Sequence, residues 1–196
     1  MNLPLGYQYS AVYAGIRKEQ KDDLALIFSN RAAWAAAVFT QNRVKAAPVI
    51  VSKDHLKKSR GLVRAILINA GNANCATQTG QAVATVCAKA IAEHFDAPVE
   101  QVLPASTGVI GVELDPNLIT GAVPALVGGL SDDRFEDAAR AIMTTDTVMK
   151  TASNQVDLDS GAIRIAGMTK GSGMIQPNMA TTLAFIMMDA DIGPAE

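Results

Sequence analysis

Little in this sequence of 196 residues is suited to holding a metal or a disulfide framework: it has only 2 cysteines and 2 histidines. Cys75 and Cys87 stand twelve positions apart, with no second cysteine pair and no histidine cluster beside them. That pattern matches neither a zinc site nor a disulfide scaffold, so the expectation is two reduced thiols, no metal and a cytoplasmic setting. Neither sign of charge dominates. Against 17 basic residues stand 19 acidic ones, for a formal net charge of −2. No stretch is basic enough to follow a phosphate backbone, which argues against nucleic acid as a partner. Long apolar runs are also missing. The longest, Ala32 to Phe39, is far too short to span a bilayer. The amino-terminal MNLPLGYQYSAVYAG has no basic segment followed by an apolar stretch, so it does not read as a secretory signal. Repeats, low-complexity tracts and Ser/Pro-rich linkers are absent as well.

What is present is enough apolar material for a core: 49% of residues are hydrophobic and 18% charged. Short apolar runs bounded by turn residues predict strands at Leu24 to Ser29, Ala35 to Thr40, Pro48 to Ser52 and Leu62 to Asn69. The first two would be joined by a tight connection at Asn30-Arg31. Val83, Val86, Cys87, Ala90 and Ile91 lie on one face of a helix over Gly80 to Phe95, with Thr77 or Thr79 as its cap. A strand at Val102 to Ser106 leads into a Thr-Gly turn. Helices follow at Pro116 to Leu126 and Asp132 to Met143, on either side of Gly128-Gly129. A hairpin pairs Gln155 to Leu158 with Ala162 to Ile165 across Asp159-Ser160-Gly161. After a glycine-rich loop from Lys170 to Pro177 comes a strand from Thr182 to Met188. That strand is apolar on both faces, so each face expects a covering layer. The fold class is α/β or α+β, a layered sandwich with its sheet buried between helices.

Four segments are rich in Gly, Thr, Asn and Ser, and each adjoins the end of a predicted element, where sites gather. They are Asn69 to Asn74, Ser106 to Gly111, Met143 to Thr147 and Thr169 to Thr181. Taken singly, each would be an ordinary turn. In this order they resemble the bifunctional glutamate N-acetyltransferase/ornithine acetyltransferase family. Gly71-Asn72-Ala73-Asn74, Ser106-Thr107-Gly108-Val109-Ile110-Gly111 and Thr144-Thr145-Asp146-Thr147 resemble its internal loops. Lys170 to Thr181, KGSGMIQPNMAT, resembles its cleavage segment. The resemblance begins near Pro4, takes in the early segment Val38 to Val49, and runs to Asp191. The glycine positions around Cys75 to Gly80 are shifted from the family pattern, and Thr182 stands where the family often has methionine.

The resemblance implies a self-processing N-terminal-threonine acyltransferase of arginine biosynthesis that cuts its own precursor at Ala180–Thr181. Residues 1–180 would form the alpha-chain domain, and residues 181–196 the start of a beta chain that continues well beyond this sequence. A threonine hydroxyl is a weak nucleophile that needs a base beside it. Cleavage would supply that base, because an α-amino group titrates near a pKa of about 8. Acetyl-Thr181 would then form from N2-acetylornithine and be attacked by glutamate, a ping-pong transfer. Acetyl-CoA is an alternative donor; no cofactor is implied. By the same resemblance, Thr107 and Gly108 form the oxyanion hole, and Thr144, Lys170 and Thr181 bind the amino-acid substrate. The partners implied are the small-molecule substrates and the beta chain of the same precursor, in a hetero-oligomer of two alpha and two beta chains, without nucleic acid or membrane. Asp146 is expected to brace its loop, and His55 and His94 to lie at the surface. Two rival readings stand beside this one. The chain could be a self-processing amide hydrolase or aminopeptidase, or a truncated chain that is inactive without a partner chain.

Overall fold

The structure, a computed structural model, describes residues 1–159, 161–171 and 182–193. Strands β1 (Tyr7–Val12), β2 (Leu24–Trp34), β3 (Leu62–Asn72) and β4 (Val102–Val109) form one sheet in the order β1-β2-β3-β4. Helix α1 (Ala47–Lys58) precedes β3, and α2 (Gly80–His94) follows it. Neighbouring strands are antiparallel except for β3 and β4, which run parallel. A parallel pair needs a crossover, and α2 provides it. Helices α3 (Pro116–Gly128) and α4 (Phe135–Ala141) then lead to a second, antiparallel sheet of β5 (Lys150–Leu158), β6 (Gly161–Lys170) and β7 (Leu183–Met188).

Side chains alternate across a strand, and β2 shows why its sheet lies between layers. Leu24, Leu26 and Phe28 point into a cluster with Val83, Cys87 and Ile91 of α2 and with Ile119, Val123 and Leu126 of α3. Ala25 and Ile27 join a second cluster on the opposite face, with Phe135 and Ala138 of α4 and with Ala166, Met168 and Met187 of the second sheet. Tyr9 meets Phe135 there edge to face, ring centroids 5.2 Å apart. The expected layered α+β sandwich with a buried sheet is the architecture found. Helices α2 and α3 form one outer layer, and α4 with the second sheet forms the other.

Strand β7 divides its faces unequally. Leu183, Phe185 and Met187 pack toward the core, whereas Ile186 on the other face is 78% exposed.

Several local expectations are corrected. Asn30-Arg31 is no connection, because β2 continues through it to Trp34 with a register irregularity between Phe28 and Ala33. Pairing of Ala33 with Val63 and of Trp34 with Leu62 outweighs the local turn composition. Ala35 to Thr40 forms no strand; beyond the Ala35 N–H to Gly61 carbonyl bond it finds no ladder partner, and Val38 is 81% exposed. Pro48 to Ser52 is helical. Pro48 sits in the first turn of α1, where its missing N–H costs nothing, and Pro48, Val51, Ser52 and His55 form one buried helical face. His55 is therefore interior, its Nδ1 2.8 Å from the Val102 carbonyl oxygen. His94 is exposed, as expected. Thr79 is the residue at the start of α2, but its side chain does not cap the helix. The Glu113 carboxylate does so from a distant segment, accepting from the Gln78 and Thr79 N–H groups and from the Thr79 hydroxyl.

Candidate active site

The carboxyl-terminal ends of β3 and β4 lie side by side, with Asn69 opposite Ser106, Ala70 opposite Thr107 and Gly71 opposite Gly108. Buried amide side chains fix this crossing. The Ser106 hydroxyl donates to Asn69 Oδ1, and Asn69 Nδ2 donates to the Asn72 carbonyl at 2.8 Å. Asn72 in turn donates to the Val112 carbonyl at 3.0 Å and accepts from the Asn74 N–H at 2.7 Å. The turns after both strands are thereby tied to each other. Gly108 has a φ of +135°, and an added Cβ would stand 2.2 Å from the Gly71 carbonyl carbon. Only glycine fits there. Thr107 points inward and Gly108 lies at the surface, so the pair straddles the boundary.

Lys170, the last residue of β6, meets this corner from the second sheet. Its Nζ donates to Thr107 Oγ1 at 2.9 Å, with Lys170 3% and Thr107 8% exposed. Burial pushes the Lys170 pKa below the ordinary lysine value; nearby Asp146 works against that shift, and Arg17 and Lys150 work with it.

Asp146 closes the other side. Its Oδ1 accepts from the Gly171 N–H at 2.9 Å and from Lys150. Burial raises its pKa, but these donors more than offset that and hold it below the usual carboxylate range. Arg17 supports the same loop from beneath. Its guanidinium donates to the Ala141 carbonyl at 3.2 Å and to the Met143 carbonyl. The fully buried Asp23 orders the approach to Arg17 by accepting from the Ala14 and Arg17 N–H groups at 2.7 and 2.8 Å.

Of the residues singled out in the sequence, Thr107, Gly108 and Lys170 thus come together at one corner. Thr144 lies two positions before Asp146, whose carboxylate binds the Gly171 N–H next to Lys170. Ala180 and Thr181 lie outside the described residues. Thr182, the next residue in the chain, sits against Gly171, where an added Cβ would stand 2.9 Å from the Thr182 hydroxyl oxygen. Arg17 was not legible as a site neighbour, because it opens a charged stretch, RKEQKDD, that reads as a solvated loop. Among the described residues, no group of three or more His, Cys, Asp or Glu side chains could hold a metal ion, and no helix is long and apolar enough to cross a membrane.

Chemically, the corner is rich in donors. A hydroxyl, an ammonium group and a surface glycine backbone lie together here, and the cations Lys170, Lys150 and Arg17 outnumber the carboxylates Asp146 and Asp23. Such a setting favours a developing negative charge.

The chain as a whole is similar to known proteins. The chain is 44% identical over 192 residues to the arginine biosynthesis bifunctional protein ArgJ of Desulfotalea psychrophila, covering 97% of this chain and 48% of that protein. It is 46% identical over 196 residues to the same-named protein of Caldanaerobacter subterraneus, covering 100% of this chain and again 48% of that protein. The chain therefore spans about half the length of the curated relatives it matches. Among solved structures, arginine biosynthesis bifunctional protein ArgJ from Bacillus halodurans superposes with a TM-score of 0.78 at 31% identity, over 87% of this chain and 89% of that one. Ornithine acetyltransferase from Mycobacterium tuberculosis, complexed with ornithine, gives a TM-score of 0.78 at 34% identity, over 87% and 91%. A family model described as the ArgJ family matches residues 8–196. With nearly its whole length matched, the chain belongs to the ArgJ family.

Proposed function

We propose that this chain is the amino-terminal half of an acetyltransferase of arginine biosynthesis that passes acetyl from N2-acetylornithine to glutamate, with acetyl-CoA as an alternative donor. The observation that carries the reading is the convergence of the buried Thr107 and Lys170, with Gly108 at the surface beside them, next to the strand end that leads to Thr181.

In this reading Thr181 Oγ attacks the Ala180 carbonyl carbon, the C–N bond breaks, and the nitrogen leaves as the α-amine of Thr181. Water hydrolyses the resulting ester and leaves Ala180 as a free carboxylate. The freed amine then takes the hydroxyl proton as Thr181 attacks the acetyl carbonyl of N2-acetylornithine. Ornithine departs, and the α-amine of glutamate attacks acetyl-Thr181 to give N-acetylglutamate. Thr107 and Gly108 hold the oxyanion in both stages, and Thr144 and Lys170 hold the amino-acid substrate.

Residues 1–180 then form the alpha chain, and residues 181–196 begin a beta chain whose remainder completes the site. Two comparisons support that division. Curated relatives are about twice as long as this chain, whereas the matched chains of the solved structures are close to its own length. The assembly proposed is two alpha and two beta chains, in the cytoplasm. Residues 1–196 alone are proposed to turn over little.

Intact mass measurement of the protein together with the rest of its polypeptide tests the reading. A fragment ending at Ala180 is expected, and none in Thr181→Ala. Acetyl from N2-acetylornithine should appear in N-acetylglutamate rather than as free acetate; release as acetate alone overturns the transferase in favour of an amide hydrolase.

A further inference from the structure

Lys170 is aimed at another residue of the site. A lysine ammonium has three donors and no acceptor, whereas a threonine hydroxyl has one proton and two lone pairs. With Lys170 Nζ donating to Thr107 Oγ1 at 2.9 Å, one lone pair is occupied. The hydroxyl proton cannot point back at Nζ, since two donors would then face each other. Among the described residues nothing accepts that proton: the only hydrogen bond formed by Thr107 Oγ1 is the one from Lys170. It is left without an acceptor among the described residues.

We propose that Lys170 is a positioning residue acting through Thr107, orienting and polarising its hydroxyl so that the proton is presented to the oxyanion. The inference rests on the reading of Thr107 as an oxyanion donor and adds a role to the substrate contact assigned to Lys170. Two further observations support it. Both partners are almost wholly buried, so bulk water cannot reorient the hydroxyl. Thr107 and Lys170 also belong to different sheets, which makes their contact a fixed bridge between layers. Asp146, Arg17 and Lys150 are the charged groups that act on Lys170. None of them donates to Thr107 Oγ1, so the orientation falls to Lys170 alone among the described residues.

A double-mutant cycle in the full-length protein tests this, using Lys170→Met, Thr107→Val and the pair. The readouts are the rate of cleavage at 180/181 and the kcat and KM of acetyl transfer. Loss of one oxyanion donor costs about 100-fold. Each single variant is expected to lower cleavage rate and kcat by about 10- to 100-fold; KM for N2-acetylornithine should change less than about 3-fold in Thr107→Val, whereas Lys170→Met, which also removes the substrate contact, should raise it as well as lowering kcat. The double variant should be no slower than the worse single by more than about 3-fold. Thr107→Ser, which keeps the hydroxyl, should restore the sensitivity to Lys170→Met. Independent, multiplying losses overturn the inference, as does a rise in KM with kcat kept. If Lys170→Met is insoluble, Lys170→Gln enters the same cycle. A parent protein that cleaves without transferring acetyl removes the proposed function but leaves the cycle to be decided on cleavage. A parent that does neither overturns both.

Discussion

Gly108 lies so close to Gly71 that a Cβ at position 108 would stand 2.2 Å from the Gly71 carbonyl carbon and 2.5 Å from the Asn72 nitrogen. Both contacts are with backbone, which has no flexible end to move aside. The φ of +135° at Gly108 adds strain for any other residue. Gly108→Ala is therefore expected to lower stability by about 2–4 kcal/mol, combining backbone strain with overpacking. Urea unfolding followed by circular dichroism measures this; an effect below about 0.5 kcal/mol contradicts the close approach. Cleavage at 180/181 should fall in the same variant, because Thr107 and the 108 amide would shift together.

Asp146 offers a pH-dependent test. Burial raises its pKa, but the donors Lys150 and Gly171 N–H more than offset that and hold the carboxylate below the ordinary range. A carboxylate with a depressed folded pKa contributes stability that is fully present above its unfolded pKa, about 3.9, and is lost as pH falls through the folded value. Asp146→Asn is expected to cost about 1–3 kcal/mol at pH 7. The gap between parent and variant should narrow below about pH 4. Denaturant midpoints at pH 7, 4 and 3 measure it. A constant gap across that range means the carboxylate charge contributes nothing.

Cys87 should be chemically silent in the folded protein. Burial pushes its thiol up to about 12, and it lies in the cluster between β2, α2 and α3. Only the thiolate reacts, and at pH 8 roughly one molecule in ten thousand would carry it. Iodoacetamide at pH 8 is expected to leave Cys87 unlabelled in native protein and to label it in denaturant, as read by peptide mass spectrometry. Rapid native labelling would contradict the packing of α2 onto the sheet.

The elements read correctly from sequence were those whose local pattern and tertiary environment agreed. Helix α2 was legible from an apolar stripe at helical spacing, and its Val83, Cys87 and Ile91 are buried as expected, but Val86 is 47% exposed and Ala84, Ala88 and Ala92 complete the buried face instead; the strand expected from Leu24 to Ser29 forms the core of β2. Where the two signals diverged, the tertiary one prevailed. Val49, Ile50 and Val51 read as β-branched strand material, yet Pro48 at a helix start and the spacing of Pro48, Val51, Ser52 and His55 make a helical face. Asn30-Arg31 looks like a turn only until the distant pairing of Ala33 with Val63 is known. The same holds at the candidate site. Its motifs were visible as Gly/Thr/Asn-rich loops, but no spacing places Lys170 on Thr107, sixty-three positions away. Nor does the sequence reveal that Arg17 reaches the carbonyls of residues 141 and 143.

Strand β7 supplies the last test, because its two faces should respond in opposite ways. Met187 is buried against Ala166 and Met168 of β6 and the α4 cluster, so Met187→Ala removes packed volume. The expected cost is about 2–5 kcal/mol in urea unfolding of residues 1–196. Ile186 is 78% exposed, and Ile186→Thr should change that stability by less than about 0.5 kcal/mol. If the rest of the polypeptide supplies the covering layer that this apolar strand expects, the neutrality of Ile186→Thr should disappear in the full-length protein. Burial of an isoleucine side chain is worth about 1.5–3 kcal/mol, and a loss of that order should then show as a lower unfolding midpoint. An Ile186→Thr variant that is neutral in both settings places the covering layer elsewhere.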